Sequence, residues 1–246
     1  MFTVLVVCTG NVNRSALGAV LLERWAEWYL PEPLAASVRV TSAGLGAPVG
    51  ARMGRRSRVI ADALGAVSSL HRAAQISEDA IRRADLVLVA SAQQRDDVLA
   101  QVPGALHSTF TIREAGRIAA AMPESDTPDS VETLRGRVEA IAHGRGTGER
   151  GEDDIIDPQG KDDEAYRLMV RQEVPALARL ANMLFGMPPA EVQAYDAAAE
   201  AGEFSFTKGA ASGEVDAAYP PGDRVGTGTP GSSTEVPTRR RGRREA

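Results

Sequence analysis

The stretch Phe2-Thr3-Val4-Leu5-Val6-Val7-Cys8-Thr9-Gly10-Asn11-Val12-Asn13-Arg14-Ser15 decides the fold. Phe2 to Val7 is a short, nearly continuous apolar run rich in valine, the pattern of a strand buried on both faces of a parallel sheet. Cys8-Thr9-Gly10-Asn11 then reads as a turn. From Ser15 the period changes: Leu17, Leu21, Trp25 and Trp28 recur at three and four, with Glu23, Arg24 and Glu27 between them. That spacing predicts an amphipathic helix ending before Pro31. Strand, tight loop and helix are thus joined within fifteen residues, the opening of an α/β sandwich.

Further along, Ser37 to Ser42 is a strand candidate, followed by the loop Ala43 to Pro48. A helix is expected over Arg52 to Leu64, with Gly65 as its stop signal. Ser77 reads as an N-cap with Glu78 and Asp79 in the first turn, where the helix dipole favours acids. This short helix, reaching Arg83, feeds the central strand Asp85 to Ala90. Helices are expected at Ala92 to Gln101, Ile112 to Ala121 and Val131 to Ala142, and a strand at His107 to Thr111. A long closing helix carries Tyr166, Val170, Val174, Leu177 and Leu184, and Pro175 is expected to bend or interrupt it. The sum is an α/β three-layer sandwich with a four-stranded parallel sheet and helices on both faces, consistent with right-handed crossovers.

Domain organisation follows from composition. Residues 1–187 carry the apolar periodicity, with a glycine-rich and acidic link at 144–154. Residues 188–246 form an extension: Ala190 to Glu200 is patterned as one small helix, and beyond Ala201 large apolar residues are too few to offset ordering entropy, so a disordered tail is expected. The formal net charge is -5 and the one basic run, Arg239 to Arg244, is local, so no global field favours nucleic acid or anionic lipid. No apolar run is long enough for a membrane span, and a cytoplasmic protein is expected. The chain has one cysteine and three scattered histidines, His71, His107 and His143, which argues against a disulfide and against a transition-metal site. No cofactor is expected.

A lone cysteine is often only a small buried hydrophobe. The neighbours of Cys8 point to chemistry instead. It ends the first strand, and Arg14 opens the first helix, with five residues between them. Five residues suffice to wrap a semicircle of backbone, so that the amides of Thr9, Gly10, Asn11, Val12, Asn13, Arg14 and Ser15 converge on one oxyanion. The helix N-terminus adds unpaired donors and partial positive charge at the same point. Gly10 is expected to take the tight conformation and to let the chain approach the anion. Arg14 can fork two donors onto a phosphoryl group. The converging dipoles and Arg14 favour the thiolate of Cys8, the nucleophilic form. Ser15 can donate to that sulfur and make it a better leaving group in a second step. Asn11 and Ser42 are candidates to hold the loop through side-chain to backbone bonds.

Phosphoryl transfer through a cysteine also needs an acid for the leaving group and a base for the later hydrolysis. Asp157, ahead of Pro158 and of the long helix, is the candidate, although Asp-Pro on its own reads first as a turn initiator. Asp153 and Asp154 compete by proximity but continue the acidic link and are expected to be solvated.

These residues resemble the low-molecular-weight protein tyrosine phosphatase family. The resemblance covers most of residues 2–185 and rests on Val7 to Ser15, Thr41-Ser42-Ala43-Gly44, His71-Arg72, Ala84 to Val89, Thr109 to Glu114, and Asp157-Pro158. The run Thr109 to Glu114 is similar to a branch common among actinobacterial members. The resemblance implies a flavodoxin-like sheet of order 2-1-3-4, Cys8 as nucleophile, Arg14 as phosphate clamp, and Asp157 as general acid and then base. His71 and Arg72 match a structural part of the pattern. The implied activity is hydrolysis of phosphate monoesters, phosphotyrosine on protein first among them, through a cysteinyl-phosphate intermediate. The expected partner is a phosphorylated protein or a small phosphomonoester. Asn13 stands where many members carry a second cysteine, and Ala16 where they carry proline. Where phosphotyrosine-specific members wall the cleft with aromatic rings, this chain has Leu45, Gly46, Gln159 and Gly160. Two other readings use the same loop: an arsenate reductase drawing on an external thiol or redoxin, and a phosphate- or phosphoprotein-binding module with little turnover.

Overall fold

The computed structural model of the chain describes residues 1–123, 126–145 and 152–206. Of the tail expected beyond Ala201, the part from 207 onward with its arginine run lies outside the described residues, as does the centre of the acidic link.

Strand β1 (Phe2–Cys8) lies at the middle of the sheet. It pairs in parallel with β2 (Val38–Gly44) on one side and β3 (Leu86–Val89) on the other, and β4 (Thr109–Thr111) continues beyond β3. The order is therefore β2-β1-β3-β4, all parallel. Alternation along β1 explains the layers. Phe2, Val4, Val6 and Cys8 face one apolar cluster with α1 (Arg14–Tyr29) and the helices that follow it in space. Leu5 and Val7 face a second cluster containing Ile81 of α4 (Glu78–Arg83) and Val98 of α5 (Ala92–Gln101). Being covered on both faces, β1 and β3 need no polar alternation, which is why they read as continuous apolar runs.

The first layer also holds α3 (Arg55–Ala63), α6 (Ile112–Ala120), α7 (Val131–Gly144), α8 (Asp163–Phe185) and α9 (Pro189–Ala201), while the single turn α2 (Glu32–Ala35) leads into β2. Local chemistry sets several ends. Ser77 and Ser91 accept from the amides of Ala80 and Gln94, and Thr111 forms a reciprocal capping box with Glu114. Gly65 stops α3 with φ of +82°.

Four expectations change. The α3 helix starts at Arg55 rather than Arg52, because the Gly54 amide bonds the carbonyl of Val12 at 2.8 Å and draws that segment onto the loop. β4 is shorter than the run from His107, since Thr109 is the first residue to pair, opposite Val87. α8 is not interrupted at Pro175: it runs unbroken from Asp163 to Phe185, with Val174, Leu177 and Ala178 fully buried around the proline. Burial of that stripe offsets the hydrogen bond that proline cannot donate. Finally, residues from 188 pack onto the body before the described chain ends. Tyr195 of α9 is fully buried, with its ring 4.8 Å from that of Trp25 and its hydroxyl donating to Leu64. Phe204 and Phe206 follow as buried residues, and the Phe206 carbonyl accepts from Arg55 at 2.5 Å.

Candidate active site

The carboxyl ends of β1, β2 and β3 meet at one edge, beside the central strand where the sheet order reverses. In open α/β sheets that edge is where ligands bind. The segment from Cys8 to Ser15 occupies it. Cys8 is buried, and its Sγ has two polar neighbours: the backbone amide of Asn11 at 3.3 Å and Ser15 Oγ at 3.0 Å. Asn11 Nδ2 donates to Ser15 Oγ at 2.9 Å. With its oxygen so occupied, the Ser15 hydroxyl proton is left to point at the sulfur.

The left-handed turn falls on Asn11, not on Gly10. Asn11 has φ of +53°, the one positive value at a non-glycine among the described residues. Asparagine tolerates this region because its short polar side chain can bond locally. Here Asn11 Oδ1 accepts from the Ala74 amide at 2.9 Å, and its carbonyl accepts from His71 Nε2 at 2.8 Å. Burial lowers the His71 pKa, its bond to Asn11 raises it and the Arg72 charge lowers it, so the neutral ring is favoured as donor. A Cβ on Gly10 would meet only Val12 Cγ2 at 3.5 Å, an ordinary contact. The close approach in this region belongs instead to Gly44, where a Cβ would lie 2.6 Å from the carbonyl oxygen of Thr9.

The rest of the loop is held from both sides. Asn13 accepts from Ser57 Oγ and donates to Gln159 Oε1, each at 2.9 Å. Thr9 Oγ1 accepts from Gln94 Nε2 at 3.1 Å. Leu45 and Gly46 donate their amides to Cys8 and Thr9. Ser42, expected among the supports, lines a separate groove with Val40, Thr41, His71 and Arg72 and bonds no loop residue among those described. Its place is taken by Ala74, Ser57, Gln94 and Gln159. Ala74 acts through its backbone, so no side-chain signal in the sequence could have revealed it.

Arg14 is 5% exposed and reaches across to the segment before α8. Its Nη1 donates to the Ile155 carbonyl at 3.2 Å, and its Nη2 lies 2.7 Å from Asp157 Oδ2. The path that brings Asp157 here is visible. Ile155 donates to the carbonyl of Ala90 just past β3, and Ile156 donates to Gln172 Oε1, both at 2.8 Å. Of the two acids before them, Asp153 is partly buried and pairs with Arg117 at 2.8 Å, whereas Asp154 is exposed, as expected, and accepts from the amide of Ala92. Asp157 keeps 46% of its side chain exposed and accepts from the Gln159 amide through its other oxygen. The structure therefore gathers Cys8, Asn11, Arg14, Ser15 and Asp157 within one site. Among the described residues no group of histidine, cysteine or acids is placed to hold a metal, and no helix is long and apolar enough to cross a membrane.

The geometry agrees with the comparisons to known proteins. The model of the low molecular weight phosphotyrosine protein phosphatase family matches residues 3–129, and so ends before Asp157. A probable low molecular weight protein-tyrosine-phosphatase, EpsP of Ralstonia solanacearum, is 35% identical over 112 residues, 46% of this chain and 71% of that protein. A protein-arginine-phosphatase of Geobacillus stearothermophilus is 31% identical over 113 residues, 46% of this chain and 70% of that one. Among solved structures, the YwlE arginine phosphatase from Geobacillus stearothermophilus superposes with a TM-score of 0.52 at 26% identity, covering 75% of this chain and 93% of its own. The match of the family model, the relatives and the shared sheet agree that this chain belongs to the low molecular weight phosphotyrosine protein phosphatase family, whose members are cysteine-dependent phosphatases.

Proposed function

We propose that this protein hydrolyses phosphate monoesters on protein side chains, phosphotyrosine first, through a cysteinyl-phosphate intermediate. The observation that carries the reading is the sulfur of Cys8, set in a loop of converging donors and closed over by the Arg14 to Asp157 pair. In the first step the Cys8 thiolate attacks phosphorus and the bond to the leaving oxygen breaks. Asp157, as the acid, delivers its proton to that oxygen. In the second step Asp157 takes a proton from water, the water oxygen attacks phosphorus, and the sulfur leaves with the Ser15 hydroxyl donating to it. The loop amides and Arg14 hold the equatorial oxygens through both steps.

Phosphoarginine is the second reading, on a specific ground. A named protein-arginine-phosphatase is among the relatives, and the positions expected to wall a phenol ring hold Leu45, Gly46, Gln159 and Gly160. Gln159 is moreover engaged with Asn13. The lone cysteine suits work in the reducing cytoplasm.

The deciding experiment runs phosphotyrosine and phosphoarginine peptides, an aryl phosphate, and arsenate with small thiols on the wild type and on Cys8→Ser. We expect the wild type to release phosphate and Cys8→Ser to bind inorganic phosphate without turnover. Turnover surviving in Cys8→Ser would sink the covalent route, and arsenate reduction without phosphate release would favour the reductase.

A further inference from the structure

One buried acid has no part in the chemistry above. Glu173 lies in the middle of α8 with no exposed surface, and neither of its side-chain oxygens meets a hydrogen-bond partner of ordinary geometry. A Cβ on Gly18 would come within 2.9 Å of Glu173 Oε1, with Leu177 and Val6 completing an otherwise apolar wall. Gly18 stands one helical turn beyond Arg14, so the missing side chain is what admits the carboxyl against the first turns of the helix that carries the arginine.

Arg14 is the charged group whose field acts on it. The elements α3, α6, α7 and α9, which also pack on α8, bring no charge to act on Glu173 among the described residues, and β1 contributes only apolar side chains on this face. Burial pushes the Glu173 pKa well above the ordinary carboxyl range. The Arg14 charge and then the Gly18 amide oppose that less strongly. An unpaired carboxyl in such a place is costly to keep, since a buried polar group without a partner loses its hydration for nothing in return.

We propose that Glu173 is a positioning residue for Arg14: as the neutral acid it leaves the guanidinium to the bound phosphoryl group, and as the carboxylate it draws that charge away. The inference rests on the oxyanion-binding reading of the loop. The physical reason is that two opposite charges inside a low-dielectric wall attract far more strongly than they do in water. A carboxylate at Glu173 would compete with the phosphoryl oxygens for one cation, whereas the acid would not. Anion affinity should therefore weaken as Glu173 ionises.

The test is calorimetric binding of inorganic phosphate from acid to alkaline pH across the whole range in which the protein stays folded, on the wild type and on Glu173→Gln, with turnover of an aryl phosphate measured beside it. The two proteins differ only at this carboxyl, so the ratio of their dissociation constants isolates Glu173. We expect a ratio near 1 at the acid end, and wild-type binding about 10-fold weaker than that of Glu173→Gln at the alkaline end, a coupling of about one pK unit. A residue with only a packing role would move stability but not this ratio. A second measurement needs no variant: by reciprocity, saturating phosphate must raise the ionisation midpoint of the 13C-labelled Glu173 carboxyl by the same factor. A flat ratio, or a midpoint unmoved by phosphate, overturns the proposal. If the wild type neither binds phosphate nor turns over the aryl ester, the functional reading itself falls. Binding and turnover with a flat ratio remove Glu173 alone.

Discussion

Asp157 Oδ2 lies 2.7 Å from Arg14 Nη2, joining a half-exposed carboxylate to a guanidinium that is almost wholly buried. A phosphoryl dianion would compete with Asp157 for that guanidinium, and on the proposed mechanism the carboxyl would then stand beside the leaving oxygen. Replacing Asp157 with Asn keeps the shape and removes the transferable proton. Turnover of an alkyl or phenyl phosphate should fall about 100-fold or more. An ester with a leaving group that needs no proton, such as nitrophenolate, should lose much less. Equal losses for the two esters would count against the acid assignment.

Asn11 combines a left-handed backbone with side-chain bonds to Ser15 and Ala74. In Asn11→Ala those bonds are lost and the positive φ is retained at a cost, so unfolding free energy should drop by about 2 to 4 kcal/mol. Asn11→Gly loses the same bonds without the backbone penalty and should be the more stable of the two by about 1 kcal/mol. Chemical denaturation of both variants, with the same order expected in their activities, checks this.

Tyr195 closes α9 against Trp25 and Leu64. Tyr195→Ala should lower stability by about 3 to 5 kcal/mol, as the removal of large buried rings does. Inorganic phosphate should still bind to the folded fraction, because Trp25 and Leu64, the partners of the ring and the hydroxyl, lie outside the loop. An unchanged thermal midpoint would show that α9 is not part of the cooperative body.

The raised pKa of Glu173 makes stability depend on pH with a definite sign. A carboxyl whose folded pKa lies above its unfolded value binds its proton more tightly when folded. Its contribution is therefore fully present below the unfolded value of 4.5 and is lost as pH rises through the raised folded value. Unfolding curves should show the wild type losing stability relative to Glu173→Gln across that window, with the two profiles parallel below it. A difference that does not vary with pH would contradict the direction of the shift.

Much of this was legible in the residues themselves. The valine run to Cys8, the change of period at Ser15 and the cap at Ser77 are local signals, carried by side-chain size, by spacing and by the hydrogen-bonding reach of serine. The strand, loop and helix that they dictate form wherever those residues are covered. The glycine at position 10 misled because composition shows which residues can turn, not which one does. The turn fell on Asn11, since only there could Ala74 and His71 bond the turned residue. Pro175 misled in the opposite sense, because helix propensity takes no account of the apolar stripe buried on either side of it in the helix.

That Cys8 ends a strand and Arg14 opens a helix five residues on is thus a property of the sequence alone, since adjacency in the chain and the start of a helix suffice to bring the two together. The tertiary structure decided which distant groups complete them. Asp157 reaches Arg14 because Ile155 is bonded just past the end of β3, and Glu173 comes against the helix that carries the same arginine because Gly18 leaves room for it. Those contacts join residues more than a hundred positions apart. No periodicity encodes them, because they exist only once the sheet has brought its carboxyl ends together and α8 has packed across them.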